Sequence, residues 1–240
     1  GVPGGAARGG GRDYAPTTVD PRLAVLTPPV GSTVPLPESQ LLPGARQAER
    51  PGSPREGVLR PGQKSGPLPQ DAERLTVRLT WSADPGLAVQ PEVDASVFVV
   101  GSGGEVLSDL HFVFYNNVGA PDQSVWLDEP EPGATERRVG VSIPLLAVEA
   151  ERVVLALSIH AAQERGHDTG LLRRLTVRVC DAESGAELCG YRVPAGAPDA
   201  SAMTVGELYR GPGGWGFHAV TCGYLGGLLE IAQTHGINAG

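Results

Sequence analysis

Residues 74–81 read "RLTVRLTW", so Leu75, Val77 and Leu79 alternate with Arg74, Thr76, Arg78 and Thr80. A period of two marks a strand with one buried face. The stretch 94–109, "DASVFVVGSGGEVLSD", predicts a strand, a Gly-rich turn at 101–104 and a returning strand, which is a hairpin pattern. "HFVFYNN" at 111–117 predicts another strand that ends in an Asn pair, and "RRVGVSIPLL" at 137–146 a further one. "ERVVLALSIH" at 151–160 is apolar almost without interruption and predicts a central strand buried on both faces. A second hairpin spans 173–193 around a turn at 181–185, and strands at 202–210 and 215–224 flank the Gly-Pro-Gly-Gly turn at 211–214. Eight to ten strands of this kind predict an all-β fold, a two-sheet antiparallel β-sandwich. Helices are few: one short helix over 147–153 or 160–166, and a C-terminal one whose Leu225, Leu228, Leu229 and Ile231 would cap an open end of the sandwich, with Gly236 as its stop.

Upstream of residue 57 the periodicity vanishes. Residues 1–56 contain 10 Pro and 9 Gly, too little apolar surface to offset the entropy of ordering. This predicts a disordered or extended Pro/Gly-rich arm over 1–56 and a folded domain over 57–240. The charge divides along the same line. The arm has six Arg against five Asp and Glu, whereas 57–240 carries 13 basic and 22 acidic groups, a charge of −9 that the arm's +1 brings to the formal total of −8. An acidic domain excludes nucleic acid and an anionic membrane surface as the main partner and favours divalent cations or basic partners. The apolar runs fall far short of the ~18 residues of a spanning helix, so no direct membrane insertion is expected. The opening "GVPGGAARGGGRDY" has no apolar stretch of the leader type, which gives a cytoplasmic expectation. Cys180, Cys189 and Cys222 form no CxxC pair and are expected to be reduced thiols.

Candidate chemistry is sparse. In an extended segment Glu92 and Asp94 share one face, an arrangement that suits one ion or two solvated turn residues. Asn116 and Asn117 offer amide oxygens. His160, His167 and Asp168 are the only grouping of acid–base type, and no nucleophile stands near them in a GxSxG elbow, so no enzyme is expected. His111 is expected at a half-exposed sheet position. The Gly stretches at 101–104 and 211–214 lack GxxxxGK[ST] and read as turns.

Taken together, "GVLRPGQKSGPLPQDAERLTVRLTW", "EVDASVFVV", "SDLHFVFYNN", "VVLALSIHAAQERG", "LTVRVCDAESGAELCGYRV" and "AMTVGELYRGPGGWGFHAVTCGY" resemble, in order and spacing, the TerD family of tellurium-resistance and general stress proteins. The resemblance covers 57–240. It implies a calcium-binding β-sandwich in a stress response, with Glu92, Asp94, Asn116, Asn117, Asp128 and Glu136 as metal ligands. Calcium takes six to eight hard oxygens, and a loop of carboxylates and carbonyls can supply them. The loop departs from the family pattern: Thr135, Glu136 and Arg137 stand where an acidic triplet falls, and Pro130 and Pro132 stiffen the approach. Weakened calcium binding is therefore expected. The implied partners, besides calcium, are other stress-operon proteins, including a membrane component. The alternative is a TerD-like structural or interaction module that has lost calcium and docks to a larger assembly through its arm.

Overall fold

A computed structural model describes the backbone of residues 33–35 and the full residues 57–238. The strands are β1 (Thr33–Pro35), β2 (Val58–Leu59), β3 (Arg74–Ser82), β4 (Val93–Val100), β5 (Phe112–Val113), β6 (Val125–Leu127), β7 (Glu136–Ser142), β8 (Arg152–Ile159), β9 (Arg173–Asp181), β10 (Glu187–Arg192), β11 (Ala202–Gly211), β12 (Gly214–His218) and β13 (Cys222–Tyr224). Two helices are present among the described residues, α1 (Ala162–Arg165) and α2 (Gly227–Thr234). The larger sheet has the order β1-β13-β11-β8-β4-β5, with β12 also paired to β11, and the smaller has the order β2-β10-β9-β3-β7-β6. All neighbours are antiparallel except β2 and β10. The expected two-sheet sandwich is what forms.

The two sheets differ in how their sequences alternate, and the reason is what covers each outer face. In β3 buried and less buried residues alternate along the strand, with Leu75, Val77 and Leu79 fully buried between the sheets. The other face of β3 carries Arg and Thr toward solvent. In β4 and β8 both parities are buried. Val93, Val97, Val99, Val153, Leu155 and Leu157 point to the core between the sheets. Phe98, Val100, Val154 and Ala156 instead form a second cluster with Leu228, Ile231 and Ala232 of α2. The helix thus lies on the outer face of the larger sheet, which explains the continuous apolar runs. Each large side chain fully buried there contributes roughly 1.5–3 kcal/mol.

Two glycines are fixed by close approach. Gly140 of β7 lies opposite Trp126 of β6, and a Cβ on it would fall 2.0 Å from the indole ring. The ring therefore occupies the space a side chain at 140 would need. Gly206 has φ +137° at a bulge in β11, and a Cβ there would fall 2.4 Å from Phe217.

Several local expectations are corrected. Among the described residues there are 13 strands rather than eight to ten, because five span three residues or fewer. The return after the 101–104 turn is a single bridge, Val100 to Val106, and the strand that pairs with β4 on the side away from β8 is β5. The 111–117 strand shrinks to two residues behind a 3₁₀ turn at Asp109–His111, so His111 is not a sheet residue. Its ring sits 2.8 Å from Ser108 Oγ and 3.5 Å from Asp122 Oδ2. The short helix forms at 162–165, not at 147–153. The C-terminal helix packs on a sheet face rather than across an open end. The arm expected over 1–56 lies outside the described residues apart from 33–35. That segment pairs antiparallel with β13, from Thr33 opposite Tyr224 to Pro35 opposite Cys222.

Candidate functional site

The sequence-predicted ligands lie at one end of the sandwich, where β4 begins, β6 runs out and β7 begins. Glu92 immediately precedes β4, and its carbonyl accepts the His160 amide at 2.8 Å, which ties the start of β4 to the end of β8. The neighbouring turn is closed by reciprocal backbone bonds between Phe114 and Asn117, both 2.9 Å. Asp128 follows β6 and donates its amide to the Arg138 carbonyl at 3.1 Å. Between these segments opens a cavity of about 370 Å³ lined in part by Asp94, Tyr115, Asp128, Glu129, Arg137 and Arg138.

Two of the six expected ligands, Asp94 and Asp128, share this cavity, together with Glu129. The others have different local roles. Glu92 is 3.3 Å from Arg165 of α1. Glu136 accepts from Arg78 Nη2 at 2.7 Å on β3 and from Arg138 Nε on its own strand. The Arg78 bond holds the Glu136 carboxyl below the usual Glu range, against a smaller opposing effect of burial, with Arg138 adding to the lowering. Asn117 donates its amide to the carbonyls of Leu110 at 3.0 Å and Phe112 at 2.7 Å, so it clamps the turn. Asn116 is exposed at the tip of that turn. Among the described residues no group of three or more His, Cys, Asp or Glu side chains is placed to hold a metal ion.

What the sequence reading undervalued is the arginines. Arg137 shares its strand face with Val139 and Val141, both fully buried in the core. It is thus the last member of an inward-facing row, at the mouth of the gap between the sheets. Its Nη1 donates to the carbonyls of Ala134 at 3.2 Å and Glu136 at 2.9 Å, and its guanidinium lies 5.5 Å from the centre of the Trp81 ring. Burial pulls the Arg137 pKa below its ordinary value, and the negative charges of Asp94 and Glu92 act against that. Strand parity would have revealed its direction. The pairing of Arg165 with Glu92 and of Arg78 with Glu136 spans 73 and 58 residues and had no local signal.

Of the acid–base candidates, Asp168 has a structural role. Asp168 caps the 3₁₀ turn at Thr169–Leu171 by accepting the Gly170 amide at 2.8 Å, and it also accepts from Asp199 N at 3.3 Å. The cysteines are free thiols, and burial pushes Cys189 up to about 12. Cys180 is raised too, again chiefly by burial, so neither is a reactive thiolate at neutral pH. No helix among the described residues is long and apolar enough to cross a membrane.

Comparison with known proteins agrees with the layout of the fold. A family model described as TerD domain matches residues 59–235. The tellurium resistance protein TerD of Serratia marcescens is 31% identical over 171 residues, covering 70% of this chain and 89% of that protein. General stress protein 16U of Bacillus subtilis (strain 168) is 31% identical over 153 residues, covering 62% of this chain and 79% of that protein. The crystal structure of a telluride resistance protein (TerD) homologue from Streptomyces coelicolor A3(2) superimposes with a TM-score of 0.52. It is 21% identical and covers 67% of this chain and 95% of that one, a likeness of fold.

Proposed function

Because the chain belongs to the TerD family, whose domain it carries over residues 59–235, we propose that it is a non-catalytic interaction module of the tellurium-resistance and general stress type that works without calcium. The observation that carries this reading is the commitment of the expected ligands: Glu136 is held by Arg78 and Arg138, and Glu92 by Arg165. An ion arriving here would have to displace these arginines and remain beside Arg137. Calcium affinity rises with the net negative charge of the ligand set, and here arginines cancel much of it. The partners on this reading are proteins of the same stress response, one of them at the membrane, and cytoplasmic location belongs to the same proposal.

The arm is the element suited to docking. Its residues 33–35 add a strand to one edge of the larger sheet, and extended segments bind partners by the same backbone pairing. The test is a calcium titration of the full chain by calorimetry, beside Asp94→Asn, with thermal melts in calcium and in chelator. The expected result is no saturable heat and melting curves that coincide. Saturable binding that disappears in Asp94→Asn would overturn the calcium-free reading in favour of an ion-ordered acidic loop.

A further inference from the structure

We propose that the guanidinium of Arg137 is the resident cation of the acidic end, carrying out in this chain the ordering that a bound divalent ion would perform. The inference rests on the calcium-free reading above and assigns it to one side chain.

A calcium ion in such a loop has two structural tasks. It gathers backbone carbonyls of the loop onto itself, and it neutralises carboxylates that would otherwise repel one another. Arg137 performs the first directly. Through one nitrogen it binds the carbonyls of Ala134 and Glu136, the segment that brings the loop after β6 into β7. Loop carbonyls that would otherwise turn to water or to an ion are thereby drawn around a fixed positive charge.

The second task follows from where the side chain sits. Asp94, Asp128 and Glu129 line the same cavity as Arg137, and Asp94 and Glu92 are the charges that favour its protonated form. The negative field of these carboxylates acts on the guanidinium. Such a field matters most where water is partly excluded. The mouth of the sandwich, with Trp81 beneath the guanidinium, is such a place.

Position completes the argument. An inward-facing residue at the end of a core row is normally apolar, and a guanidinium there costs desolvation. Trp81 and the two carbonyls offset part of that cost, and the surrounding carboxylates offset more. Unlike a bound ion, this cation cannot dissociate. The acidic loops keep one arrangement whatever the calcium concentration.

The experiment compares the full-length protein with Arg137→Met and, to retain more of the polar stem, Arg137→Gln, each with and without Asp94→Asn. Melting is followed by circular dichroism in chelator and in millimolar calcium. The expected result is an unresponsive parent and a calcium-dependent rise of about 3 °C in the Arg137 variants, which Asp94→Asn removes. Folded Arg137 variants that ignore calcium would overturn the role of Arg137 while leaving the calcium-free reading intact. A parent that responds to calcium, with the response lost in Asp94→Asn, would overturn both. Should Arg137→Met fail to fold, Arg137→Gln decides by the same criterion.

Discussion

The molecule holds two clusters of arginine and carboxylate that look alike in composition and differ in setting. Glu207 of β11 is 8% exposed, with Arg152 Nη1 at 3.2 Å on one carboxylate oxygen and His218 Nδ1 at 2.9 Å on the other. The acidic end has more carboxylates, but they stand at loop ends, and the side chain of Glu92 is 57% exposed. Removing one partner inside the first cluster strands a charge away from water. Removing one at the acidic end returns the other to solvent. The first is therefore a part of the fold, and the second is a surface whose electrostatics can change without unfolding the domain.

The sharpest way to break this comparison is Glu207→Ala. It leaves Arg152 and His218 without their shared acceptor and is expected to cost about 3 kcal/mol, the low end for a broken buried pair because Arg152 reaches solvent. Urea denaturation of the parent and variant measures it. A loss no greater than that of a surface substitution would make the two clusters equivalent.

The pH dependence separates the clusters next. His235, beyond the end of α2, sits 2.8 Å from the Gly104 carbonyl and lies tilted against Phe98 with ring centroids 4.9 Å apart. Burial lowers its pKa from the ordinary 6.5, the Gly104 bond opposes that, and Arg152 of the buried cluster adds to the lowering. The unfolded chain takes up the proton first as pH falls, so this stability is complete above pH 6.5 and erodes as pH falls toward the lowered folded value. The expected slope is at most about 1.4 kcal/mol per pH unit, and His235→Gln removes it. Glu136 acts in a more acidic window. Its folded pKa lies below the ordinary 4.5, so its contribution is full above that pH and is lost as pH falls through the folded value. Glu136→Gln should cost less than about 1 kcal/mol at neutral pH and leave the slope near pH 6 unchanged.

The residues explain which features were legible. Alternation at Leu75, Val77 and Leu79 fixed β3, and the unbroken run of β8 announced burial on both faces, because both patterns are properties of one strand. The layer that covers β8 could be guessed only as a helix somewhere, since the buried cluster that unites Ile231 with Phe98 joins distant segments. Short strands such as β5 and β13 carry too few residues for a period. At the acidic end, the carboxylates were visible as residue types, but their counter-ions were not. Arg165 and Arg78 reach Glu92 and Glu136 only after the sheets have assembled. Arg137 was the exception, legible from its parity with Val139 and Val141, and its value was missed because an arginine beside an acidic motif reads as a lost ligand rather than as a cation.

The smallest expected effect concerns Glu92 and Arg165, and it limits how far the acidic end contributes to stability. Their nitrogen and oxygen lie 3.3 Å apart, and both side chains remain substantially in solvent. Water and dissolved salt screen such a pair, and holding two long side chains together opposes it further. Glu92→Gln should therefore change stability by about 0.5 kcal/mol or less, with the difference vanishing in roughly 1 M salt. Equilibrium denaturation of both proteins at low and high salt measures this. A larger loss that persists in salt would mean that Glu92 is buried by something the described residues do not include, and the arm would be the first segment to delete. If the small effect holds, this carboxylate is free to be exchanged between Arg165 and a basic partner at little cost to the fold, as a recognition surface requires.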